Sequence, residues 1–364
     1  MKTETGVAHQ TGGLSATALL DLFSPSLSPD ARSAAESLSN SLAEFGSDVI
    51  RSDDGEQTLR RPQQRMGAAI TFEGGEQIPT LLVERPDGPA YNVAERIRDD
   101  APGPVSIRVT GTAHSGWPES TVEAYGCSLQ PGASIGHYAG WAGSLGCLVS
   151  LVSGRRSSVG VMGAAHVLAN VGAGNPGDRI LCPCPPDGPR SMASQIATLT
   201  DSTLLVHYKD SVAHARAVNT ADAAIATLAD QDHVPQANLV PDPADRRKKL
   251  RLKGHVAMED LPRYEGQEVY KYGRTTGFRR GIYSGLTTES HSIRLPDNQI
   301  YFYRGTIMVQ KIGRHAFSQP GDSGAPVYTR EGLVLGLIVG AASDLTYISP
   351  MALCLNELKA EILK

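Results

Sequence analysis

The residues best suited to covalent chemistry lie between Phe317 and Tyr328, in the run Phe-Ser-Gln-Pro-Gly-Asp-Ser-Gly-Ala-Pro-Val-Tyr. Gly321 and Gly324 flank Ser323, so a tight turn can present its Oγ without crowding. The backbone N–H groups of Gly321 and Ser323 can converge on the oxyanion that forms when a nucleophile adds to a carbonyl. The turn therefore predicts a serine nucleophile and an oxyanion hole in one segment.

A serine nucleophile needs a general base, and all ten histidines precede Ser323. This order excludes the Ser, Asp, His arrangement of α/β-hydrolases. His166 has the most informative context, because it ends the β-prone, small-residue run Val-Gly-Val-Met-Gly-Ala-Ala-His. A carboxylate must orient the imidazole, and Asp222 begins a small apolar segment that would bury it. Asp230 and Asp232, in a more polar segment, are the alternatives for that role.

The runs GDSGAP, GAAHVL and DAAIA, in the order His166, Asp222, Ser323, resemble the trypsin-like serine proteases of the chymotrypsin fold. Two further runs, SLGCLV from Ser144 and YGRTTGFRRG from Tyr272, resemble an intracellular branch of that family that includes bacterial proteins and the plant narrow-leaf protein. The resemblance implies a serine endopeptidase that acts through an acyl-enzyme, on a protein or peptide substrate, with no cofactor and no metal.

The resemblance covers roughly residues 134–364 and implies a mainly β fold, a double antiparallel β-barrel. The first barrel would supply His166 and Asp222, and the second would supply Ser323. The resemblance also implies that Phe317, six residues before the serine, forms the base of the pocket for the side chain on the acyl side of the cut.

The pocket walls would come from Val339, Gly340 and Ala341. Relatives that cut after Arg or Lys have an aspartate at the base, so Phe317 predicts a preference for small or apolar side chains. The chain has no recognisable activation peptide with an Ile-Val-Gly-Gly start, so the usual pairing of a freed N-terminus with Asp322 is not implied. Any latency would need another trigger.

Short strands separated by glycine- and proline-containing turns are expected to position these residues. The first barrel is predicted to use Leu145–Ser150, Ser158–Ala165, Gln195–Leu199, Ser202–His207 and Ala223–Leu228. The second is predicted to use Glu268–Tyr272, Gly281–Leu286, Ile300–Arg304, Thr306–Gln310, Ala325–Thr329 and Leu333–Val339. Asp230–Arg263 is predicted to be a linker between the barrels, and a helix over Met351–Leu363 is predicted to end the chain.

Three domains are predicted: residues 1–65, 66–125 and 126–364, the last being the protease domain. Residues 1–65 are predicted to form a loose arm with one helical turn, an amphipathic helix from Ser28 to about Ile50 and a polar linker. The apolar face of the helix is predicted to pack on its own chain, with partner binding as the alternative. Residues 66–125 are predicted to form a small β-β-α-β module, through which a regulatory partner could bind.

Composition narrows the remaining choices. A net charge of −4 gives no general reason to expect nucleic acid or an anionic membrane. The basic run Arg246–Lys253 is interpreted as a solvated loop, with an acidic partner or nucleic acid as the alternative. Without a secretory signal or an apolar run of membrane-spanning length, and with five cysteines that cannot all pair, the protein is predicted to be soluble and cytoplasmic.

Cys182 and Cys184 suggest a metal site, but two ligands do not make a zinc centre, so free thiols are predicted. The rival interpretation of the whole chain is a catalytically silent scaffold on a protease fold, which binds protein partners.

Overall fold

The structure is a computed structural model that describes residues 15–23, 26–45, 49–51, 57–59, 66–115, 129–153, 156–187, 194–208 and 218–364. Its α-helices are α1 (Ala16–Phe23), α2 (Pro29–Phe45), α3 (Pro89–Asp100), α4 (Ala165–Leu168) and α5 (Met351–Leu358). Short 3-10 helices span Asn170–Gly172, Pro185–Asp187 and Met258–Tyr264.

The strands of the first half of the chain are β1 (Val49–Arg51), β2 (Gln57–Leu59), β3 (Gly67–Glu73), β4 (Glu76–Val83), β5 (Ser106–Val109), β6 (Ala113–His114), β7 (Ser134–His137), β8 (Gly143–Ser144), β9 (Cys147–Ser153), β10 (Arg156–Gly163), β11 (Arg179–Cys182) and β12 (Ser194–Ser202). Those of the second half are β13 (Ala224–Leu228), β14 (Leu239–Pro241), β15 (Lys249–Arg251), β16 (Gly254–His255), β17 (Glu268–Gly273), β18 (Gly277–Thr287), β19 (His291–Arg294), β20 (Ile300–Tyr303), β21 (Ile307–Lys311), β22 (Pro326–Tyr328), β23 (Leu333–Ala342), β24 (Leu345–Pro350) and β25 (Ala360–Ile362).

The fold is mainly β, and the predicted double antiparallel β-barrel is confirmed. In the C-terminal half, the strands pair in the closed cycle β17, β18, β21, β24, β23, β22 and back to β17. Every pairing in that cycle is antiparallel, and its interior is filled by apolar side chains such as Val309, Leu335 and Ile338. Closure leaves this barrel without a free edge among its six strands.

The N-terminal barrel is a half-barrel with the strand order β9, β10, β13, β12, β11, β7, again antiparallel throughout. Its apolar side chains form one core cluster with residues of the second barrel, among them Leu148 and Val161 with Met308 and Tyr347. The two barrels therefore share a buried interface, and the functional residues of both lie close to it.

The predicted β-β-α-β module is present as β3, β4, α3 and β5, with β5 parallel to β4. Its strand β3 pairs with β18 of the closed barrel, so one sheet runs from the barrel into the module. Helix α2 buries Leu38 and Leu42 against Leu81 of β4, which confirms that its apolar face packs on its own chain. The division into three domains stays a prediction.

Two predicted helices end earlier than the sequence suggests. Helix α2 ends at Phe45, and the residues Val49–Arg51, expected at its end and just beyond it, form β1, which pairs with β2 inside the predicted linker. Helix α5 ends at Leu358 because Lys359 takes a left-handed conformation (φ 51°) and turns the chain. The next residues alternate buried and exposed side chains and form β25, which pairs with β9.

The predicted linker Asp230–Arg263 is also more structured than expected. It contains the hairpin of β14 and β15, the short strand β16 and most of a 3-10 helix, because Val240, Leu252 and Val256 are buried apolar anchors among its polar residues. Of the predicted strand Ser202–His207, only Ser202 is in a strand, as the last residue of β12. His207 makes only an isolated β-bridge to Tyr301.

Several strands fall where no strand was predicted, namely β6, β7, β8, β11, β19 and β24. Of the loose arm predicted over residues 1 to about 27, residues 1–14 lie outside the described residues. The predicted helical turn is α1, which buries Leu19 and Phe23 in the core of the closed barrel.

Candidate active site

His166 and Asp222 form a buried pair in the half-barrel. His166 lies in α4, just after β10, and Asp222 lies just before β13, the neighbour of β10. His166 Nδ1 is 2.6 Å from Asp222 Oδ2, and the His166 backbone N–H donates to Oδ1 at 3.1 Å. An ionised carboxylate can only accept, so Nδ1 carries the proton and Nε2 keeps its lone pair. This is the tautomer that a general base requires.

Two hydroxyl groups, one from Tyr303 of β20 and one from Ser349 of β24, hold Asp222 in place. The Tyr303 hydroxyl donates to Asp222 Oδ2 at 3.2 Å, and Ser349 Oγ accepts from the Asp222 N–H at 3.0 Å. Burial and the nearby carboxylate raise the pKa of Tyr303 well above its ordinary value, so its oxygen keeps the proton that it donates. The alternative acid Asp230 pairs with His233 at the surface instead, and Asp232 is exposed.

Ser323 lies in the loop between β21 and β22, and two glycines give this loop its shape. Gly321 and Gly324 have positive φ values of 91° and 84°. A Cβ at Gly321 would lie 2.2 Å from Arg274 Nη1, and one at Gly324 would lie 2.6 Å from Ser144 O. Both positions therefore need glycine for conformation and for space.

The half-barrel clamps the same loop through Ser144 of β8. The Ser144 N–H donates to Ser323 O at 2.8 Å, and Ser144 Oγ donates to Gly321 O at 3.1 Å while accepting from the Arg274 N–H at 2.9 Å. Arg274 is buried and ion-paired with Asp187. The carbonyl groups of Gly321 and Ser323 both accept hydrogen bonds. The N–H groups of the same two residues donate to no acceptor in the described part of the chain.

Asp322 is held by a buried lysine. Lys271 Nζ lies 2.8 Å from Asp322 Oδ2, and neither side chain has any solvent exposure (0%/0%). The carboxylate also accepts from the N–H groups of Thr275, Thr276 and Gln319 and from the Thr276 hydroxyl. Burial alone would raise the pKa of Asp322, but attraction to Lys271 and these hydrogen bonds outweigh it and lower the pKa below its ordinary value.

A second serine lies between His166 and Ser323. Ser115 Oγ lies 2.8 Å from His166 Nε2 and 2.8 Å from Ser323 Oγ. Within the described residues, no direct hydrogen bond joins Ser323 to His166. The hydroxyl chain runs from Ser323 through Ser115 to the imidazole, and Ser323 itself is only 4% exposed.

The predicted pocket residues occupy two parts of the closed barrel. Val339, Gly340 and Ala341 lie together in β23, next to the loop that carries Ser323. Phe317 is buried in the barrel core beside Gly281 and Val309, and the neighbouring Ser318 Oγ lies 2.8 Å from Thr346 Oγ1. Its role as a pocket base stays a prediction.

Sequence reasoning brought His166, Asp222 and Ser323 to one site but missed three residues that complete it. Lys271 left a signal, since it is a lone charge in the otherwise apolar and aromatic run Val-Tyr-Lys-Tyr, directly before the noted motif from Tyr272. Ser144 begins another noted run. Ser115 left no signal in the sequence. Its contacts depend on the strand β6 directly before it, which lies in a stretch with the composition of a loop.

Among the described residues, no group of three or more His, Cys, Asp or Glu side chains is placed to hold a metal ion. The four described cysteines, Cys147, Cys182, Cys184 and Cys354, are buried thiols that form no disulfide bond. No helix in the described part of the chain is long and apolar enough to cross a membrane.

No protein-family profile and no curated protein matches the sequence. Solved structures similar to this chain include Protease A of Thermobifida fusca, at 16% identity over 65% of this chain and 98% of that one, with a TM-score of 0.42. A chymotrypsin of Cellulomonas bogoriensis matches at 18% identity over 64% and 97%, with a TM-score of 0.41. Nocardiopsis protease matches at 14% identity over 65% and 99%, with a TM-score of 0.42. These are likenesses of fold at low identity, and they say nothing about substrate.

Proposed function

We propose that the protein is a serine endopeptidase that hydrolyses peptide bonds through an acyl-enzyme. The observation that carries the proposal is the buried His166–Asp222 pair. A hydroxyl chain joins His166 Nε2 to Ser323, beside the N–H groups of Gly321 and Ser323, which no described residue accepts. This combination joins a base of the right tautomer to a glycine-flanked nucleophile with oxyanion donors.

In the proposed mechanism, Ser323 Oγ attacks the scissile carbonyl while His166 Nε2 takes the hydroxyl proton. The carbonyl oxygen becomes an oxyanion that accepts from the N–H groups of Gly321 and Ser323. His166 then returns the proton to the leaving amine, and a water molecule repeats the sequence on the acyl group. Asp222 stabilises the imidazolium and keeps its orientation throughout.

The substrate class follows from the same loop. An extended peptide substrate needs a strand close to Ser323 with which it can pair. Val339–Ala341 of β23 lie at that position. We propose a protein or peptide substrate that is cut after small or apolar residues, because a basic side chain above Phe317 would lose hydration without gaining a partner. The predicted cytoplasmic location and the regulatory role of the N-terminal module stay proposals.

One observation favours the second candidate, a catalytically silent scaffold that binds protein partners. Ser115 separates the nucleophile from the base, so the three residues are not in a reacting arrangement as they stand. The two candidates differ in whether Ser323 can be activated.

The test is labelling with a fluorophosphonate probe. An activated serine attacks phosphorus, a P–O bond forms, the P–F bond breaks and fluoride leaves while the base holds the proton. Stoichiometric labelling that disappears in Ser323→Ala supports the protease. A folded protein that stays unlabelled, both as the wild type and after the changes at Ser115 described below, supports the scaffold instead.

A further inference from the structure

The short strand β6 fills a slot between two longer strands beside Ser323. The order in the sheet is β19, β6, β23: Ala113 pairs with Ile293 and His114 with Arg294 in parallel, and His114 pairs with Ala341 antiparallel. The Ser115 N–H extends the first ladder by donating to Arg294 O at 2.9 Å. The chain therefore lies in the slot as an extended peptide, held on both sides.

The slot leads directly to the nucleophile. Ile338 O of β23 accepts from the Gly324 N–H at 2.8 Å, which fixes β23 next to the catalytic loop. A Cβ at Gly340 would lie 3.0 Å from His114 O, so the bare backbone at that point allows the close approach of a strand. One residue after His114, the chain delivers Ser115 Oγ between His166 and Ser323.

We propose that β6 is an autoinhibitory strand: Ala113–Ser115 occupies the position of an extended peptide substrate along β23, and the Ser115 hydroxyl keeps the nucleophile apart from its base. The inference rests on the proposed peptidase function. It identifies the first occupant of the slot as the chain itself and the competing occupant as an extended peptide that pairs antiparallel with β23.

Two observations distinguish this inhibition from other forms of latency. The catalytic loop is already ordered by the buried Lys271–Asp322 pair and by Ser144, so no loop rearrangement is needed. His166 is fully buried and Ser323 is 4% exposed, so a peptide carbonyl cannot reach either residue while the strand is in place. Among the described residues, it is Ser115 at the end of this strand that separates His166 from Ser323.

A proton relay through Ser115 is the competing explanation of the same distances. A relay would keep Ser115 in place during the reaction and would make its hydroxyl essential. An inhibitory strand predicts the opposite, because removal of the hydroxyl lets Ser323 approach His166. The Ser115→Ala variant therefore separates the two explanations.

The experiment compares fluorophosphonate labelling rates of the full chain in four variants. Ala113→Asp puts a charge at a 3%-exposed position between β19 and β23. An unpaired buried carboxylate should expel the strand and raise the labelling rate at least about tenfold over wild type. Ser115→Pro removes the N–H donated to Arg294 and the hydroxyl, and serves if Ala113→Asp does not fold. Val109→Asp places the same acid at a 43%-exposed position nearby and should label like the wild type.

The fourth variant, Ser115→Ala, should label at least as fast as the wild type. A loss of at least about a hundredfold would establish the relay and overturn the proposal. Equal rates for the wild type, Ala113→Asp and Ser115→Pro would overturn it as well, because a strand whose removal changes nothing does not inhibit.

A second readout needs no chemistry. In a Ser323→Ala background, binding of a fluorescent acetyl-Thr-Ala-His-Ser-amide peptide is followed by anisotropy. The added Ala113→Asp or Ser115→Pro change should create saturable binding, and the added Val109→Asp change should not. Peptide binding without labelling in any variant would end the protease proposal but keep the strand-occupied slot. Labelling of all variants at one rate without peptide binding would keep the protease and end the inhibition.

Discussion

At the scale of single residues, the buried His166–Asp222 pair sets how the catalytic groups should respond to mutation. Ser323→Ala or His166→Ala should each lower kcat on the order of 10⁶-fold, and the double mutant should be hardly slower, because the residues act as one unit. Asp222→Asn should cost less, on the order of 10⁴-fold, since the oxyanion donors survive. Peptide hydrolysis is measured in the strand variant that labels fastest. A double mutant far slower than either single mutant would contradict this assignment.

Lys271→Met should destabilise the protein by roughly 3–5 kcal/mol, because it leaves Asp322 buried without its cation. Chemical denaturation measures the free energy of unfolding. The matched control is Lys311→Met, which removes a lysine 2.6 Å from Asp344 in a partly exposed pair (28%/53%) and should cost less than about 1 kcal/mol. Equal losses in the two variants would mean that Lys271 does not compensate a buried charge.

The same variant should weaken the pH dependence of stability that Asp322 contributes. In the wild type the pKa of Asp322 is lowered. The stability that its ionised carboxylate contributes is therefore present above the unfolded pKa of about 4 and is lost as the pH falls below that value. Without Lys271, burial still raises that pKa and the hydrogen bonds from Thr275, Thr276 and Gln319 still lower it, so the stability that is gained as pH rises through about 4 should become smaller. Unfolding midpoints measured between about pH 3 and pH 7 would show this weaker dependence, and an unchanged dependence would contradict the role given to Lys271.

At the scale of elements, the loop between β21 and β22 carries both the nucleophile and Phe317, so a change at Phe317 should alter specificity. The wild-type site, released from β6, should disfavour Arg and Lys before the cut, and Phe317→Ala should favour larger apolar residues. The variant should also lose about 3–5 kcal/mol of stability, because a core ring is removed. A cleavage profile on a peptide library tests the preference.

Phe278→Ala is the control for that profile. Phe278 lies in β18 and stacks on Tyr270 with ring centroids 6.0 Å apart, so its loss should leave the preference unchanged. Dominant cutting after Arg or Lys in the wild type would show that Phe317 does not form the pocket base, or that an acid such as Asp344 reaches into the pocket.

The sequence was informative where local patterns carry the structure. The glycines around Ser323 and the small residues before His166 are local requirements, and they were sufficient to bring both residues to one site. β6 was not predictable, because two residues have no period and their pairing partners, Ile293 and Ala341, lie far away in the chain. The end of α5 depended on Lys359, since a left-handed lysine has no compositional signature. The position of β6 therefore depends on long-range strand pairing, which local sequence patterns do not reveal.

At the scale of the whole molecule, Glu265 links the N-terminal module to the closed barrel. Gln77 Nε2 of β4 donates to Glu265 Oε2 at 2.5 Å, and the ring of Phe72 in β3 lies against the next residue, Gly266. Burial raises the pKa of Glu265 to about 8, against an ordinary value of 4.5, although the hydrogen bond from Gln77 opposes the change. At neutral pH the folded protein therefore holds a proton here that the unfolded chain has lost.

The free energy of unfolding should therefore fall as pH rises from about 4.5 to about 8, because the folded state binds one more proton than the unfolded state throughout that range. Glu265→Gln should remove the dependence, which is on the order of a few kcal/mol. Urea denaturation at about pH 5 and pH 8 measures it. Glu268→Gln, which removes an acid 3.3 Å from Arg280 at the surface, should keep the wild-type dependence. A wild-type stability that does not change with pH relative to Glu265→Gln would contradict the buried proton.

The strand β6 belongs to the same polypeptide as His166 and Ser323, and this covalent connection fixes its local concentration. A tethered segment competes at an effective concentration of about millimolar or more, however dilute the protein is. Dilution therefore cannot release β6, and a free peptide must outcompete a partner that never diffuses away. Cleavage of the chain on both sides of β6 would turn this unimolecular equilibrium into an ordinary dissociation. A peptide held by only three residues would then dissociate and be diluted.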